Sequence, residues 1–329
     1  MPNPPTVSII IPVYNAAKEL PYCLEALGNQ TYRKLELCFV NDCSDDNSEE
    51  LIGTFAQQQA DIVVKIETHT HNRGVAAARN TGLNMATGKY IYYVDADDTI
   101  APEAITHLVT MAEEKDLDIV GHDWVLEFEQ NGRYMRQRDY TTSEEAIRNM
   151  MCGVMRWNLW LFLVKRSLYT NHNICFTEGM NMGEDMMVMI KLFICAHQVG
   201  ITHQPLYHYK QCNEQSLTKV YSEDHIRQVT ANVSEVENYI KASNKKETLL
   251  PFIDYLKLNI KLPLLFTDNE ERYRQWTTWF PEANKAIWDN KLLPMRTRLV
   301  QWMGSKQYWT LVKGYYRFIY KFIYGVIFK

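Results

Sequence analysis

The first hundred residues alternate between short apolar runs and segments in which apolar residues recur every three or four positions. Runs rich in β-branched and aromatic residues predict buried strands, and the recurring pattern predicts amphipathic helices. The predicted strands are 7–13, 35–40, 62–67 and 89–94. The predicted helices between and after them are 18–27, 45–58, 74–85 and 99–114. Strands that alternate with helices in this way predict a parallel sheet built from right-handed βαβ units.

The pattern becomes less regular beyond residue 120. A strand region, an antiparallel partner and a short apolar segment are predicted at 117–128, 133–138 and 160–164. Helices are predicted at 144–151 and 186–196. The chain from Asp224 onward is predicted to be predominantly helical, with prolines that separate the helices. We therefore expect an α/β domain at residues 1–220 and a mainly helical C-terminal region at residues 221–329.

The bulk composition narrows the class of protein. The chain has 329 residues, of which 46% are hydrophobic and 22% charged, values that are ordinary for a globular protein. A net charge of −4 argues against a general nucleic-acid binder. The seven cysteines include no Cys-x-x-Cys pair and suit a reducing compartment. With neither a signal-peptide pattern nor an uncharged apolar run of 18 residues, a cytoplasmic protein is expected.

Three carboxylates, Asp95, Asp97 and Asp98, directly follow the fourth predicted strand, with no lysine or arginine beside them. Crowded like charges repel unless a cation or solvent compensates them, and oxygen ligands at this spacing suit Mg²⁺ or Mn²⁺. An acidic turn that caps the next helix is the alternative. Tyr14-Asn15 and Asn41-Asp42 also follow predicted strands, at the edge where parallel sheets bind ligands. This coincidence favours an active site.

The turn after the first strand lacks the Gly-x-Gly-x-x-Gly pattern, which argues against a dinucleotide-dependent dehydrogenase. Tyr14 could stack on a base, and Asp42 could accept a hydrogen bond from a base or ribose. The alternatives are an interface aromatic and a helix cap. Arg79, in the alanine-rich segment 72–82, offers a planar fork suited to a diphosphate, or else forms a salt bridge to a nearby aspartate.

Four motifs, in this order and spacing, resemble the inverting GT-A glycosyltransferases of family 2, of the bacterial surface-polysaccharide type. The motifs are Val7–Asn15, Asn41–Asp46, Asn72–Gly82 and Asp95–Asp98. The resemblance covers roughly residues 6–215. It implies a Rossmann-like, mostly parallel sheet flanked by helices, followed by a mainly helical C-terminal extension.

The resemblance also implies a division of roles on the donor side. Asp97 matches the metal-ligating acid, with Asp98 assisting it, and the metal is Mg²⁺ or Mn²⁺. His208 is either a further metal ligand or a structural histidine. The nucleotide and its diphosphate are contacted by the remaining matched positions: Pro12, Tyr14, Asn15, Asp42, Arg79 and Asp95.

On the acceptor side, Glu184 and Asp185 resemble the family's acidic pair, with Asp185 as the general base and Glu184 orienting the acceptor. The alternative is that both acids only favour a helix N-terminus through its dipole. Trp157 and Trp160 lie in a segment that resembles the border of the acceptor pocket, and 208–218 resembles a late loop that closes over the diphosphate.

The implied activity is metal-assisted transfer of a hexosyl or N-acetylhexosaminyl group from a nucleotide-diphosphate sugar, expected to be a UDP-sugar, to a glycan or lipid-linked glycan hydroxyl. Two other classes stay open. One is a non-catalytic nucleotide-sugar-binding or scaffold protein. The other is a sugar nucleotidyltransferase, which normally needs a Gly-rich basic loop where this chain has Pro12–Ala16.

The C-terminal segment has a different charge from the rest of the chain. After Asp289 there are eight lysines and arginines and no acid, which leaves −12 on the first 289 residues. In 306–328 the cations form one narrow helical stripe among aromatic and aliphatic residues. This suits a peripheral position on an anionic membrane surface. Packing on the catalytic domain or on a second subunit of a homo-oligomer is the alternative.

Overall fold

The computed structural model describes residues 4–128, 131–210 and 222–319. The chain divides into two compact units. The first comprises Met1–Ser143 with Trp157–Val236, and the second comprises Glu144–Arg156 with Glu237–Lys329. The boundary expected at residue 220 lies in 211–221, outside the described residues.

The first unit begins with the predicted alternation of strands and helices. Its opening strands are β1 (Val7–Val13), β2 (Leu35–Asn41), β3 (Val63–Thr68) and β4 (Tyr90–Tyr93). The intervening helices are α1 (Leu20–Gly28), α2 (Ser48–Gln58) and α3 (Val75–Met85). β1 pairs in parallel with β2 and β4, and β2 pairs in parallel with β3. The predicted βαβ arrangement of this region is confirmed.

Later strands extend the same sheet and make it mixed. They are β5 (Thr99–Ile100), β6 (Ile119–Glu127), β7 (Gly132–Met135), β8 (Phe162–Lys165) and β9 (Val199–Lys210). The strand order is β3-β2-β1-β4-β8-β6-β9-β5, with β7 paired to β6 off this path. β8 is antiparallel to β4 and β6, whereas β9 is parallel to β6. Helices α4 (Ala104–Glu114), α6 (Arg166–Asn171) and α7 (Glu184–Cys195) complete the described α/β region.

The predicted helix start at Thr99 is wrong. Thr99 and Ile100 form β5, which pairs antiparallel with the end of β9, and α4 begins only at Ala104. Pro102 explains why α4 begins later than predicted, because a proline disfavours helical geometry in the residue before it. The pairing sets Ile100 opposite Tyr207 and Thr99 opposite His208. It therefore brings β9 next to the acidic turn at 95–98.

Close packing of α3 on the sheet fixes the position of its polar face. Ala76, Ala77 and Ala78 are buried. A Cβ on Gly82 would lie 2.4 Å from Ile10 Cγ2 on β1, closer than real atoms approach. Only a residue without a side chain allows this approach of helix and strand. The small residues thus place Arg79 of α3 near the carboxyl end of β1.

The second unit is helical, as predicted for this part of the chain. It contains α5 (Ser143–Met151), and its boundary at Val236 falls within α8 (Glu223–Ala242). The helices that follow are α9 (Lys246–Leu249), α10 (Ile253–Lys261), α11 (Glu270–Thr278), α12 (Met295–Ser305) and α13 (Trp309–Tyr316). Lys261 is buried over the Trp276 ring, and its Nζ donates to two backbone carbonyls and to Asn284. None of the helices in the described ranges is long and apolar enough to cross a bilayer.

Candidate active site

The loops after β1 and β2 are hydrogen-bonded to each other. The backbone N–H of Asn15 donates to Ser44 Oγ at 3.0 Å, and Asn15 Oδ1 accepts from the backbone N–H of Asp45 at 2.8 Å. Asn15 and Cys43 both have positive φ, at 48° and 60°, a strained conformation that clusters at functional loops. Tyr14 beside them is 51% exposed, and Pro12 is half-buried. The two predicted nucleotide-side clusters therefore lie together, with an aromatic ring open to solvent.

Asp42 is buried and fixes the loop that leads into α3. Its Oδ1 lies 2.6 Å from His69 Nδ1 and accepts from the backbone N–H of Arg73 at 2.9 Å. Its Oδ2 accepts from the backbone N–H of Gly74 at 2.7 Å. Gly74 has φ +85°, a conformation that glycine adopts without strain. Asp42 therefore holds the loop before α3 and is not the cap of that helix, because the N-cap residue is Gly74 and it has no side-chain cap. Contact of Asp42 with a nucleotide stays a prediction.

The acidic turn after β4 is tied to β9 through Asp98. This carboxylate is fully buried. Its Oδ2 accepts from the Tyr207 hydroxyl and its Oδ1 from the backbone N–H of Lys210, both at 2.8 Å. Burial, together with the charges of Asp97 and Asp95, raises the pKa of Asp98. Asp97 and Asp95 are half-buried, so the turn presents these two carboxylates toward solvent.

Tyr207 is a residue of the site that the sequence analysis missed. Besides donating to Asp98, its hydroxyl accepts from the backbone N–H of Asp95 at 3.1 Å. Its ring stacks on Trp160, with centroids 4.3 Å apart and planes inclined by 13°. Trp160 is only 3% exposed, so its ring supports Tyr207, and its role at the acceptor pocket stays a prediction, as does that of the half-buried Trp157. The alternation of Tyr207 and Tyr209 along β9 was the available signal.

Arg79 is the centre of a buried ion network. It is 5% exposed, and its Nη1 donates to Glu184 Oε1 and to Asp185 Oδ1, each at 2.6 Å. Its Nη2 lies 3.5 Å from Asp95 Oδ1. The salt-bridge interpretation of Arg79 therefore describes the geometry, and contact with a diphosphate stays a prediction. One guanidinium joins the acid after β4 to the acidic pair of α7.

The acidic pair sits at the first turn of α7, and neighbouring elements fix its approach to Arg79. Gly183 precedes the helix with φ +77°. Asn181 Oδ1 accepts from the backbone N–H of Ala76 at 3.0 Å, which links this loop to α3. Two side chains of α8 hold the same loop: Gln228 accepts from the Asn181 backbone N–H, and Asn232 donates to the Met182 carbonyl, both at 2.8 Å.

Negative charge exceeds positive charge in this network. Burial raises the pKa of Glu184 to about 8, with the charge of Asp185 adding to the effect and that of Arg79 opposing it. Burial also raises the pKa of Asp95 to about 6, against the opposing charge of Arg79. Carboxyl groups with raised pKa values in a cleft are typical of functional sites, and a bound cation would relieve their repulsion.

His208 lies on β9, and its Nδ1 is 2.7 Å from Glu127 Oε1. A metal-bound histidine commonly donates its second ring N–H to a carboxylate, and a structural histidine makes the same contact. His208 can therefore be either a metal ligand or a structural histidine. Among the residues that the structure describes, no three His, Cys, Asp or Glu side chains are grouped so that they could hold a metal ion by themselves.

We expect Tyr207→Phe to lower the free energy of unfolding by about 1–3 kcal/mol, because it removes a hydrogen-bond partner from the buried Asp98 carboxylate. Chemical denaturation of the full chain measures the change. Tyr22→Phe, at an exposed ring on α1, is the matched control and should leave stability unchanged. Equal stability of the two variants would show that the Tyr207 hydroxyl does not hold the turn.

Known proteins resemble this chain in sequence and in fold. The family model for glycosyl transferase family 2 matches residues 8–193. The uncharacterized glycosyltransferase YibD of Escherichia coli is 32% identical over 255 residues, which are 74% of this chain and 70% of YibD.

Two solved structures share the fold. The crystal structure of S. aureus TarS 1-349 in complex with UDP-GlcNAc has a TM-score of 0.72 at 18% identity, over 95% of this chain and 91% of that one. The mannosyltransferase PcManGT from Pyrobaculum calidifontis, in complex with GDP-Man and Mn²⁺, has a TM-score of 0.51 at 16% identity, over 96% and 88%.

Proposed function

The chain belongs to glycosyl transferase family 2, and on that premise we propose that it transfers a sugar, with inversion, from a nucleotide-diphosphate sugar to a glycan hydroxyl. The observation that carries the proposal is the Arg79 network. It joins Asp95, on the predicted donor side, to Asp185, on the predicted acceptor side. A single displacement needs these two sides next to each other, because nucleophile and leaving group occupy opposite faces of one carbon.

We propose Mg²⁺ or Mn²⁺ as the cofactor, and the donor set fits such a hard cation. Mg²⁺ is usually held by one or two carboxylates together with substrate phosphates and waters. Both oxygens of Asp98 accept hydrogen bonds from β9, so this residue assists by fixing the turn, and Asp97 is the proposed ligand. When bound, the ion supplies positive charge that stabilises the departing diphosphate.

Asp185 is the proposed general base. Its side chain is 16% exposed, against 9% for Glu184. Burial raises the pKa of Glu184 to about 8, which favours the protonated form of that carboxyl group near neutral pH. Asp185 accepts the proton as the acceptor oxygen attacks the anomeric carbon. The bond from this carbon to the diphosphate breaks, and its electron pair leaves with the nucleotide.

For the donor we propose a UDP-sugar carrying a hexosyl or N-acetylhexosaminyl group. TarS, which has the same fold, was solved with UDP-GlcNAc. The exposed Tyr14 ring, next to the hydrogen-bonded loops after β1 and β2, offers a surface on which a base can stack. The acceptor we propose is a glycan or lipid-linked glycan of a bacterial surface polysaccharide, as the family resemblance implies.

A panel of nucleotide sugars tests the proposal. Thermal stabilisation by one donor in the presence of Mn²⁺ or Mg²⁺, followed by metal-dependent hydrolysis or transfer with inverted anomeric configuration, is the expected result. Donor binding without either reaction would favour a non-catalytic sugar-binding protein. Release of pyrophosphate from a nucleoside triphosphate and a sugar phosphate would favour a nucleotidyltransferase.

Asp97→Ala should lower the transfer rate about 10²-fold or more, because several kcal/mol of charge stabilisation at the diphosphate is lost. The measurement is the transfer rate titrated with Mn²⁺. Asp61→Ala removes an exposed acid in the loop before β3 and is the control. If Asp97→Ala keeps the parent rate and the parent metal dependence, Asp97 does not hold the ion.

A further inference from the structure

Large exposed apolar side chains are concentrated in one short stretch of the second unit. Of the thirteen such residues in the described parts of the chain, seven lie between residues 288 and 318. They are Trp288, Leu292, Met295, Leu299, Tyr308, Leu311 and Phe318. Scattered exposed apolar residues need no explanation, but a contiguous group marks an interaction surface. Ring contacts and helical spacing together connect most of them.

These residues form one surface across α12 and α13, which we call the α12–α13 patch. Met295, Leu299 and Trp302 follow one another at helical spacing on α12. The Trp302 ring has its centroid 6.3 Å from that of Trp288 and 5.7 Å from that of Tyr308. Tyr308 at the N-cap of α13, Leu311 on α13 and Phe318 just beyond its end then continue the stripe at spacings of three and seven residues.

The α12–α13 patch is distinct from the faces by which the two helices pack on their own unit. Val300 and Met303 of α12 and Val312 of α13 are buried. Trp309 stacks on Tyr273 of α11, with ring centroids 5.0 Å apart and planes inclined by 5°. The packing of these helices is therefore satisfied, while the patch stays exposed.

Positive charge predominates over negative charge along the described residues that form the patch. Within the described residues, five cations have no carboxylate within ion-pair distance: Lys291, Arg296, Arg298, Lys306 and Lys313. Lys291 Nζ and Arg298 Nη1 both donate to the Trp288 carbonyl, at 2.7 and 3.3 Å, which keeps two of them beside the apolar surface. Of the cations in the described residues 290–318, only Arg317 forms an ion pair, and its partner is Asp268.

We propose that the α12–α13 patch lies on the surface of an anionic lipid bilayer. Tryptophan and tyrosine favour the headgroup region, aliphatic side chains reach the acyl boundary, and the cations face anionic headgroups. Each lysine or arginine near such a surface adds attraction that salt weakens. A second copy of the chain fits less well, because a two-fold interface would bring these cations against themselves.

This inference does not depend on the proposed sugar transfer, although it would place the enzyme beside a lipid-linked acceptor. The membrane-binding surface proposed here is formed by residues 288–318. The sequence alone had indicated residues 306–328, and the last part of that segment, 320–328, lies outside the described residues. The C-terminal cations at 321 and 329 would add to the attraction, but the patch contains its own apolar and basic groups.

Co-sedimentation of the full chain with vesicles tests the proposal. We expect pelleting with 70:30 phosphatidylcholine and phosphatidylglycerol vesicles, weak pelleting with phosphatidylcholine alone, and release by high salt. The combined change Met295→Ser, Leu299→Ser and Leu311→Ser should lower the partition coefficient at least tenfold. Lys291→Glu with Lys306→Glu should do the same for anionic vesicles. The control, Val63→Ser with Ile66→Ser, removes exposed apolar residues of β3 and should bind as the parent does.

Two results would overturn the proposal. One is equal pelleting of the parent and the patch variants. The other is a change of molar mass in solution, measured by light scattering, without a change in vesicle binding, because the patch would then be a contact between copies. Donor hydrolysis is measured in parallel on every variant. A patch variant that keeps parent hydrolysis but loses vesicle binding separates the two proposals.

Discussion

Asp185→Asn is expected to lower kcat by about 10²–10⁴-fold, the range typical of losing a general base. The amide has the shape of the carboxylate but cannot accept the proton of the acceptor hydroxyl. Donor affinity should stay near that of the parent, because Asp185 contacts Arg79 and the proposed acceptor side. Single-turnover transfer and donor titration measure the two quantities separately.

Glu184→Gln is the matched comparison for this prediction. Burial raises the pKa of Glu184 to about 8, so its carboxyl group is neutral near pH 7, as an amide is. We therefore expect a much smaller loss of kcat than for Asp185→Asn. The opposite order, with Glu184→Gln inactive and Asp185→Asn close to the parent rate, would assign the base to Glu184 instead.

Arg79→Met should destabilise the protein by about 3–5 kcal/mol and abolish transfer. Removing one partner of a buried ion network leaves the remaining charges without compensation. Here the charges of Asp185 and Asp95 would be left without a cation, and Glu184 would lose a hydrogen-bond donor. The penalty should shrink as the pH falls through about 6, because Asp95, whose pKa burial raises to about 6, then becomes protonated and no longer needs the cation.

Arg73→Met is the control for the prediction at Arg79. Arg73 lies just before α3 and makes a bidentate contact with Glu178, with N–O distances of 3.0 and 3.1 Å, but both side chains are exposed. Exposed pairs contribute about 0–1 kcal/mol, so this variant should unfold close to the parent. Equal denaturation midpoints for Arg79→Met and Arg73→Met would show that the buried network does not stabilise the fold.

The sequence predicts the β1–β4 half of the sheet well because β1, β2 and β4 are short, almost fully buried runs. β3 is largely exposed, and its β-branched residues are what indicate a strand there. β9 is different, since most of its twelve residues are only half-buried and give neither a continuous apolar run nor a clean alternation. β5 has two residues and depends on pairing with β9, which explains why it was predicted as helix.

Some residues of the site can be recognised from the sequence and others cannot. The acids at 95, 97 and 98 and at 184 and 185 stand out because they interrupt apolar segments. The role of Arg79 does not stand out in the sequence, because its partners lie 105 and 106 positions further along the chain. Tyr207 was missed for a similar reason, since its hydroxyl contacts residues about 110 positions away, at 98 and 95. Such contacts follow from the fold, which local periodicity does not encode.

The shared guanidinium of Arg79 has a consequence for how this scaffold can diversify. The loop after β4 and the loop before α7 look like exchangeable modules, each with its own short motif. They are joined through one side chain on a third element, whose own position depends on Gly82 against Ile10. We therefore expect that a chimera with a foreign segment at 181–185 stays stable only if that segment still supplies partners for the arginine on α3.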